Sequence, residues 1–194
     1  MIKAFLPKDW NLSPQNQKSF MHSKTVANAA LLIAKNTSEL DSNKAYSYGL
    51  MHDIGKFYLP KSEMYKHPRV GYDLMKNSHP DIANICISHS FPNFESYDHI
   101  MHYCQNDRTE ASQISDILKT VKKNDYIELV QFCDKVSRLD DYISLEEKLK
   151  WYLENYNINQ NELSGHYLNQ LNHIKSKFDS MTSSEVYKIL SIAN

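Results

Sequence analysis

In the segment SFMHSKTVANAALLIAK, helical spacing lines His22 up with Val26, Ala29 or Ala30, and Ile33, turning an imidazole toward an apolar stripe. Asp134 falls in line with Ile127, Val130 and Ser137, so a carboxylate is also aimed at a core. Between them, GLMHDIGKF carries the adjacent pair His52-Asp53 near the end of a mostly apolar helix. Buried charges are costly unless paired with a cation or a metal. Taken alone, His22 is more simply a core histidine bonded to a carbonyl, and Asp134 can pair with Arg138 or Lys135. Taken together, the four side chains satisfy one another if they meet at one divalent cation. Such a cation lowers the pKa of a bound water and polarises a phosphoryl oxygen. Lys56, three residues after Asp53, and Arg138, one turn beyond Asp134, are the expected phosphate-binding groups. Asp53 and Lys56 are the expected catalytic pair, the first orienting water and the second steadying the phosphate.

The order His22, His52-Asp53, Asp134, with MHSKTVANAALLIAK around the first and LMHDIGKF around the second, resembles the HD superfamily of metal-dependent phosphohydrolases. The similarity runs from about Phe20 to Leu139. It implies a helical fold, a metal held by those four residues, and hydrolysis of phosphomonoesters, phosphodiesters or nucleotide anhydrides. Diadenosine tetraphosphate hydrolases and HD-GYP phosphodiesterases carry further histidines after the HD pair. His67, in KHPRVGYDLM, and His89, in ICISHS, occupy similar positions, which implies a second metal or a general acid. Ser90 stands where HD-GYP proteins usually have another histidine, and the GYP element is absent. One divalent transition metal (Mn, Fe, Co, Ni or Zn) is expected, with a second as the extension of that set.

The elements that must position these groups read as helices. Ser13 caps and Pro14 opens the first, with Asn16 where a capping box would need Glu or Gln. A second begins near Asp41, with Gly55 near its end. His67-Pro68 and His79-Pro80 each open a short helix; His79 is read as structural. The stretch 91–124 reads as irregular, a cover for the site, with His99 and His102 as a lid feature. Asp125 caps a strong helix, and Ser144 with Glu147 has the capping-box signature. The spacing predicts two more amphipathic segments, in which His166, His173, Tyr152, Tyr156 and Tyr167 serve packing or face solvent. No strand pattern is convincing. The expected architecture is an all-α bundle of about seven to nine helices. Residues 1–143 would form the HD domain and 144–194 a helical extension packed on it, or the whole chain one domain.

Composition limits the alternatives. A chain of 194 residues with net charge -1 and 41% hydrophobic residues does not advertise an extended nucleic-acid or anionic membrane surface. Cys86, Cys104 and Cys133 form no CxxC pair and read as reduced thiols filling small apolar spaces, which points to the cytoplasm. No run approaches the roughly 20 apolar residues of a spanning helix. The expected partners are a small phosphorylated molecule, first of all a nucleotide, and a second copy of the chain as a homodimer. Two other readings stand beside the hydrolase: a catalytically silent metal- and nucleotide-binding regulatory module, and a metal-free helical interaction module.

Overall fold

The longest helix begins where Ser13 and Pro14 put its start. In a computed structural model, which describes residues 2–92, 94, 96–155 and 166–192, the Ser13 hydroxyl accepts from the Asn16 amide at 3.4 Å. This α1 (Pro14–Lys35) buries Val26, Ala29, Ala30 and Ile33. Those alanines leave room for α2 (Ser42–Met51), capped by Asp41. Gly49 of α2 faces the α1 backbone so closely that a Cβ there would lie 2.7 Å from the Ala27 Cα. No residue larger than glycine fits this crossing, and it fixes the positions of His22 and His52 relative to each other.

After α2 come two 3-10 helices (Ile54–Tyr58 and Lys61–Lys66), then α3 (His67–Met75) and α4 (Pro80–Ser88). Gly55 does not serve as a helix terminator with positive φ, as its position suggested; positive φ among the described residues occurs only at Gln105, Asn106 and Ser191. It is needed for a close approach instead. A Cβ on Gly55 would lie 2.2 Å from the His67 carbonyl oxygen and 2.7 Å from the Gly71 amide nitrogen. The HDIGK turn is thereby seated on the start of α3, which brings His67 to Asp53.

The stretch 91–124 is more regular than its sequence suggested. It contains α5 (Tyr97–Tyr103), capped by Ser96, and α6 (Arg108–Leu118), capped by Asp107. Helix α5 has only seven residues, and Gln105 and Asn106 turn the chain between the two helices with φ of 53° and 66°. Helix α7 (Asp125–Val136) is capped by Asn124, one residue before the expected Asp125, through a 3.0 Å bond from the Ile127 amide. Ile127, Leu129, Val130, Phe132, Cys133 and Val136 are buried around most of its circumference, which makes α7 the central helix. It packs against α1, α2, α4, α8 (Leu145–Asn155) and α9 (His166–Met181).

At α8 the expected capping box is present: the Ser144 amide donates to Glu147 at 2.9 Å and the Glu147 amide to Ser144 at 3.1 Å. A short α10 (Val186–Ile189) completes ten α-helices among the described residues, which is why the count exceeds seven to nine. No strand occurs among them; Ser137 and Tyr142 form an isolated bridge. Leu145, Leu171, Ile174, Phe178, Val186 and Leu190 from the chain's last third join the same apolar cluster as Val26 and Phe132. Lys177 of α9 bonds Asp125 at 2.7 Å and also Glu128. Tyr156 lies outside the described residues. His173 is exposed, His79 caps α4 edge-on to Phe5, and all three cysteines are free and buried. No described helix is long and apolar enough to cross a membrane.

Candidate metal centre

Four histidines share one pattern of orientation. Each directs Nδ1 at a backbone carbonyl: His52 at Gly49 (2.7 Å), His67 at Met64 (2.7 Å), His89 at Cys86 (2.8 Å) and His22 at Arg138 (3.2 Å). A carbonyl only accepts, so the network assigns the ring proton to Nδ1 and leaves Nε2 as the inward atom. Three of these bonds reach back three residues, to a carbonyl of the turn just before the histidine. The sequence thus sets ring orientation locally, as outer-shell partners of metal-bound histidines do.

The Nε2 atoms converge on Asp53. Its Oδ2 lies 3.2 Å from His52 Nε2, 3.9 Å from His22 Nε2 and 2.5 Å from Lys56 Nζ. Its Oδ1 lies 3.0 Å from His67 Nε2 and 3.4 Å from His89 Nε2, and the last two nitrogens are 3.1 Å apart. Asp134 Oδ1 meets His22 Nε2 at 2.9 Å and His52 Nε2 at 3.7 Å, while Oδ2 pairs with Lys135 Nζ at 2.5 Å. His52 and Asp53 are wholly buried, and His67 and His89 nearly so. The His22 and Asp134 side chains keep 16% and 12% of their surface in contact with solvent, which makes theirs the open side.

The residues present fit a cation. Four buried side-chain atoms among the described residues lack a hydrogen-bond partner, and two of them, His52 Nε2 and Asp53 Oδ1, face this point. Burial, reinforced by Lys56, pushes the His67 pKa down; burial, with His52 and His67 adding to it, pushes His89 down to about 4. Neutral imidazoles with Nδ1 committed present lone pairs to a carboxylate oxygen, an arrangement that a cation stabilises and a proton-poor cluster does not. Burial also opposes a charge on His52, yet Asp53 and Asp134 outweigh it and raise its pKa to about 9. Both carboxylates stay well below the usual range despite burial, Asp53 through His52, Lys56 and His67, Asp134 through Lys135, His22 and His52. Ligand-type atoms lie within 4.8 Å of one another in three overlapping groups: His22, His52, Asp53; His52, His89, Asp134; and Asp53, His67, His89.

All six histidine and aspartate residues singled out in the sequence therefore meet around one point, with Asp53 shared between two groups. Lys56 joins them through the 3-10 turn rather than a continued helix. Arg138 does so differently. Helix α7 ends at Val136, so Arg138 is not on the Asp134 face; its exposed side chain follows an extended Ser137, and its carbonyl orients His22. Several neighbours were not read as site residues. Gln131, buried on α7, donates to the carbonyls of Ser88 (2.8 Å) and Phe91 (3.2 Å) and so fixes the turn bearing His89. The Ser90 hydroxyl lies 3.0 Å from His89 Nε2 and donates to the Tyr103 hydroxyl of α5 at 3.3 Å, which in turn lies 3.3 Å from His67 Nδ1. His99 packs edge-on to Phe91, while His102 is exposed. Lys148, from α8, donates to the Ser137 carbonyl at 3.2 Å. A polar residue on an otherwise apolar helix was the available signal for Gln131; nothing local marked Tyr103 or Lys148.

No curated protein and no solved structure matches the chain. A family model described as HD domain matches residues 19–139, from the turn of α1 before His22 to just beyond Arg138. That span is more than half of the chain and contains every histidine and aspartate of the centre, and HD domains bind divalent metals and are typical of metal-dependent phosphohydrolases. The chain belongs to the HD-domain family.

Proposed function

We propose that the chain is a metal-dependent hydrolase of phosphoester or phosphoanhydride bonds, acting in the cytoplasm on a nucleotide or another small phosphorylated molecule. The observation that carries this reading is the buried meeting of four histidine Nε2 atoms and two carboxylates, with His52 Nε2 and Asp53 Oδ1 left without a hydrogen-bond partner. His22, His52, Asp53 and Asp134 would hold one divalent cation, and Asp53 Oδ1, His67 and His89 a second. When bound, the cations supply Lewis acidity, polarising a phosphoryl oxygen and making water a better nucleophile.

The chain's own groups do the rest. Asp53 faces both halves through its two oxygens, and Lys56 holds that carboxylate in place at 2.5 Å. Lys135 does the same for Asp134. Substrate arrives at the partly exposed His22 and Asp134 side, where Lys56 steadies phosphate oxygens. Burial keeps His67 and His89 neutral, which suits ligands better than proton donors. Phe91 and Tyr103 keep water from the inner side.

The test is phosphate release from nucleotides, and nitrophenol release from bis(p-nitrophenyl) phosphate, by protein loaded with Mn, Fe, Co, Ni or Zn. Turnover that disappears on chelation and in Asp53→Ala is the expected result. Stoichiometric metal with no turnover on any substrate contradicts it and leaves the metal-retaining regulatory module.

A further inference from the structure

Ser90 follows His89 directly, in the turn that closes α4, and is buried. Gln131 of α7 holds that turn on both sides, through the carbonyls of Ser88 and Phe91, so the backbone that carries Ser90 is fixed from the central helix. The Ser90 hydroxyl lies 3.0 Å from His89 Nε2, on the inner side of the centre. It donates to the Tyr103 hydroxyl of α5 at 3.3 Å. Phe91 meets the Tyr103 ring edge-on, with centroids 4.9 Å apart, which keeps the tyrosine over the turn.

The position of that proton decides what the Ser90 oxygen can do. The Nδ1 protons of His67 and His89 go to the Met64 and Cys86 carbonyls, so both Nε2 atoms offer lone pairs. With the Ser90 proton turned to Tyr103, its oxygen offers a lone pair as well. Four donors then stand together. His67 Nε2 is 3.0 Å from Asp53 Oδ1 and 3.1 Å from His89 Nε2, and His89 Nε2 is 3.4 Å from Asp53 Oδ1 and 3.0 Å from Ser90 Oγ. Neighbouring donors around a small divalent ion, with bonds of about 2.1 Å at right angles, stand about 3 Å apart. Asp53 Oδ1 has no hydrogen-bond partner, and a set of lone pairs this close calls for a cation among them. A Ser90 proton turned to His89 would instead occupy the lone pair that the cation needs.

On the hydrolase reading above, with its second cation, we propose that the Ser90 hydroxyl oxygen is a fourth protein donor to that cation, beside Asp53 Oδ1, His67 and His89, and that Tyr103 is a positioning residue that draws the Ser90 proton away from His89. The two orientations of the hydroxyl have effects of opposite sign. If its oxygen is a donor, removing it weakens the second cation. If its proton caps His89, removing it tightens the same cation. Ser90→Cys puts sulfur where the oxygen stands, and a thiolate bound to Co(II) announces itself by a charge-transfer absorption.

The experiment titrates the metal-stripped full chain with Mn, followed by calorimetry, and with Co(II), followed by absorption. Wild type is expected to take up a first and a second equivalent. Ser90→Ala should weaken the second about tenfold and leave the first within about twofold, and Tyr103→Phe should weaken the second in the same direction by less. Ser90→Cys should gain a sulfur-to-cobalt band in the near ultraviolet that grows only with the second equivalent and is absent from wild type. A second equivalent that binds as well or more tightly in Ser90→Ala would overturn the proposal. So would a wild type that takes a single equivalent, or a Ser90→Cys protein that binds both without the band. Equal weakening of both equivalents in Ser90→Ala, with a lowered unfolding midpoint, would make Ser90 a strut of the turn and overturn it as well. Turnover measured on the same samples separates this from the function itself. Binding of the second equivalent that depends on Ser90, without hydrolysis of any substrate, removes the hydrolase reading alone. Active hydrolysis with metal binding indifferent to residue 90 removes the Ser90 donor alone.

Discussion

The two sides of the centre are built differently. On the inner side, His67, His89 and Asp53 Oδ1 are buried, their rings oriented by carbonyls of the preceding turn, and Ser90, Tyr103 and Gln131 complete the shell. On the outer side, His22 and Asp134 come from helices 112 residues apart, keep contact with solvent, and are accompanied by Lys135, Arg138 and Lys148. The inner side is a rigid scaffold whose parts are made locally. The outer side is assembled by tertiary packing, and it is where substrate charge can be met. Asp53 belongs to both, through one oxygen each.

Because Asp53 is shared, Asp53→Ala should abolish the difference between the sides. Phosphate-release assays are expected to lose more than 100-fold in turnover, above the roughly 10–100-fold typical of a lost outer partner. A loss below tenfold would mean that Asp53 is a structural anion for Lys56. Separating the sides comes next. His22→Ala is expected to weaken turnover chiefly by raising the metal concentration needed for half-maximal rate, and excess Mn should recover part of it. His67→Ala is expected to resist such rescue, since its ring also closes the contact with Asp53 and His89. Metal titrations that gave the two variants the same response would erase the distinction.

A smaller effect bears on the scaffold itself. Gly55→Ala forces a Cβ against the His67 carbonyl and the Gly71 amide, both backbone, so it should cost about 1–3 kcal/mol in denaturant unfolding. Activity should fall with it because His67 moves. An unchanged midpoint would show that the HDIGK turn is not held by that approach.

The smallest effect concerns α5. Burial, with Lys135 and His102, lowers the His99 pKa to about 4. The unfolded chain binds that proton near pH 6.5, so between about 4 and 6.5 it holds more protons than the folded one. The stabilising contribution is present above about 6.5 and is lost as pH falls through that window. Denaturation midpoints across it should therefore be less pH-dependent in His99→Gln, and parallel profiles would contradict the assignment.

Much of this was legible in sequence because it is local. Ser13 and the Ser144–Glu147 pair cap the helices they were expected to cap, the helix expected near Asp41 begins there, and the apolar stripe of α1 pointed His22 inward. His52-Asp53 stood out because a charged pair at the end of an apolar helix needs a reason. What was not legible depends on approach between distant segments. Gly55 read as a terminator because its crowding by His67 and Gly71 exists only in three dimensions. Arg138 read as a helical neighbour of Asp134, whereas the chain leaves the helix at Ser137. Two short helices in the 91–124 stretch are fixed by the Ser96 and Asp107 caps and the positive-φ link between them, not by a long apolar period. Lys148 carries no local signal, since its bond to the Ser137 carbonyl depends on how α8 packs beside the end of α7.

The most direct measurement is the metal content of purified protein by elemental analysis, beside Asp53→Ala and His67→Ala. Near-stoichiometric or higher transition metal in the wild type, lost in Asp53→Ala and reduced by about one equivalent in His67→Ala if both sides fill, is the result expected. A wild type that holds no metal, and takes up none when Mn, Fe, Co, Ni or Zn is supplied, would contradict the metal centre and the function proposed from it.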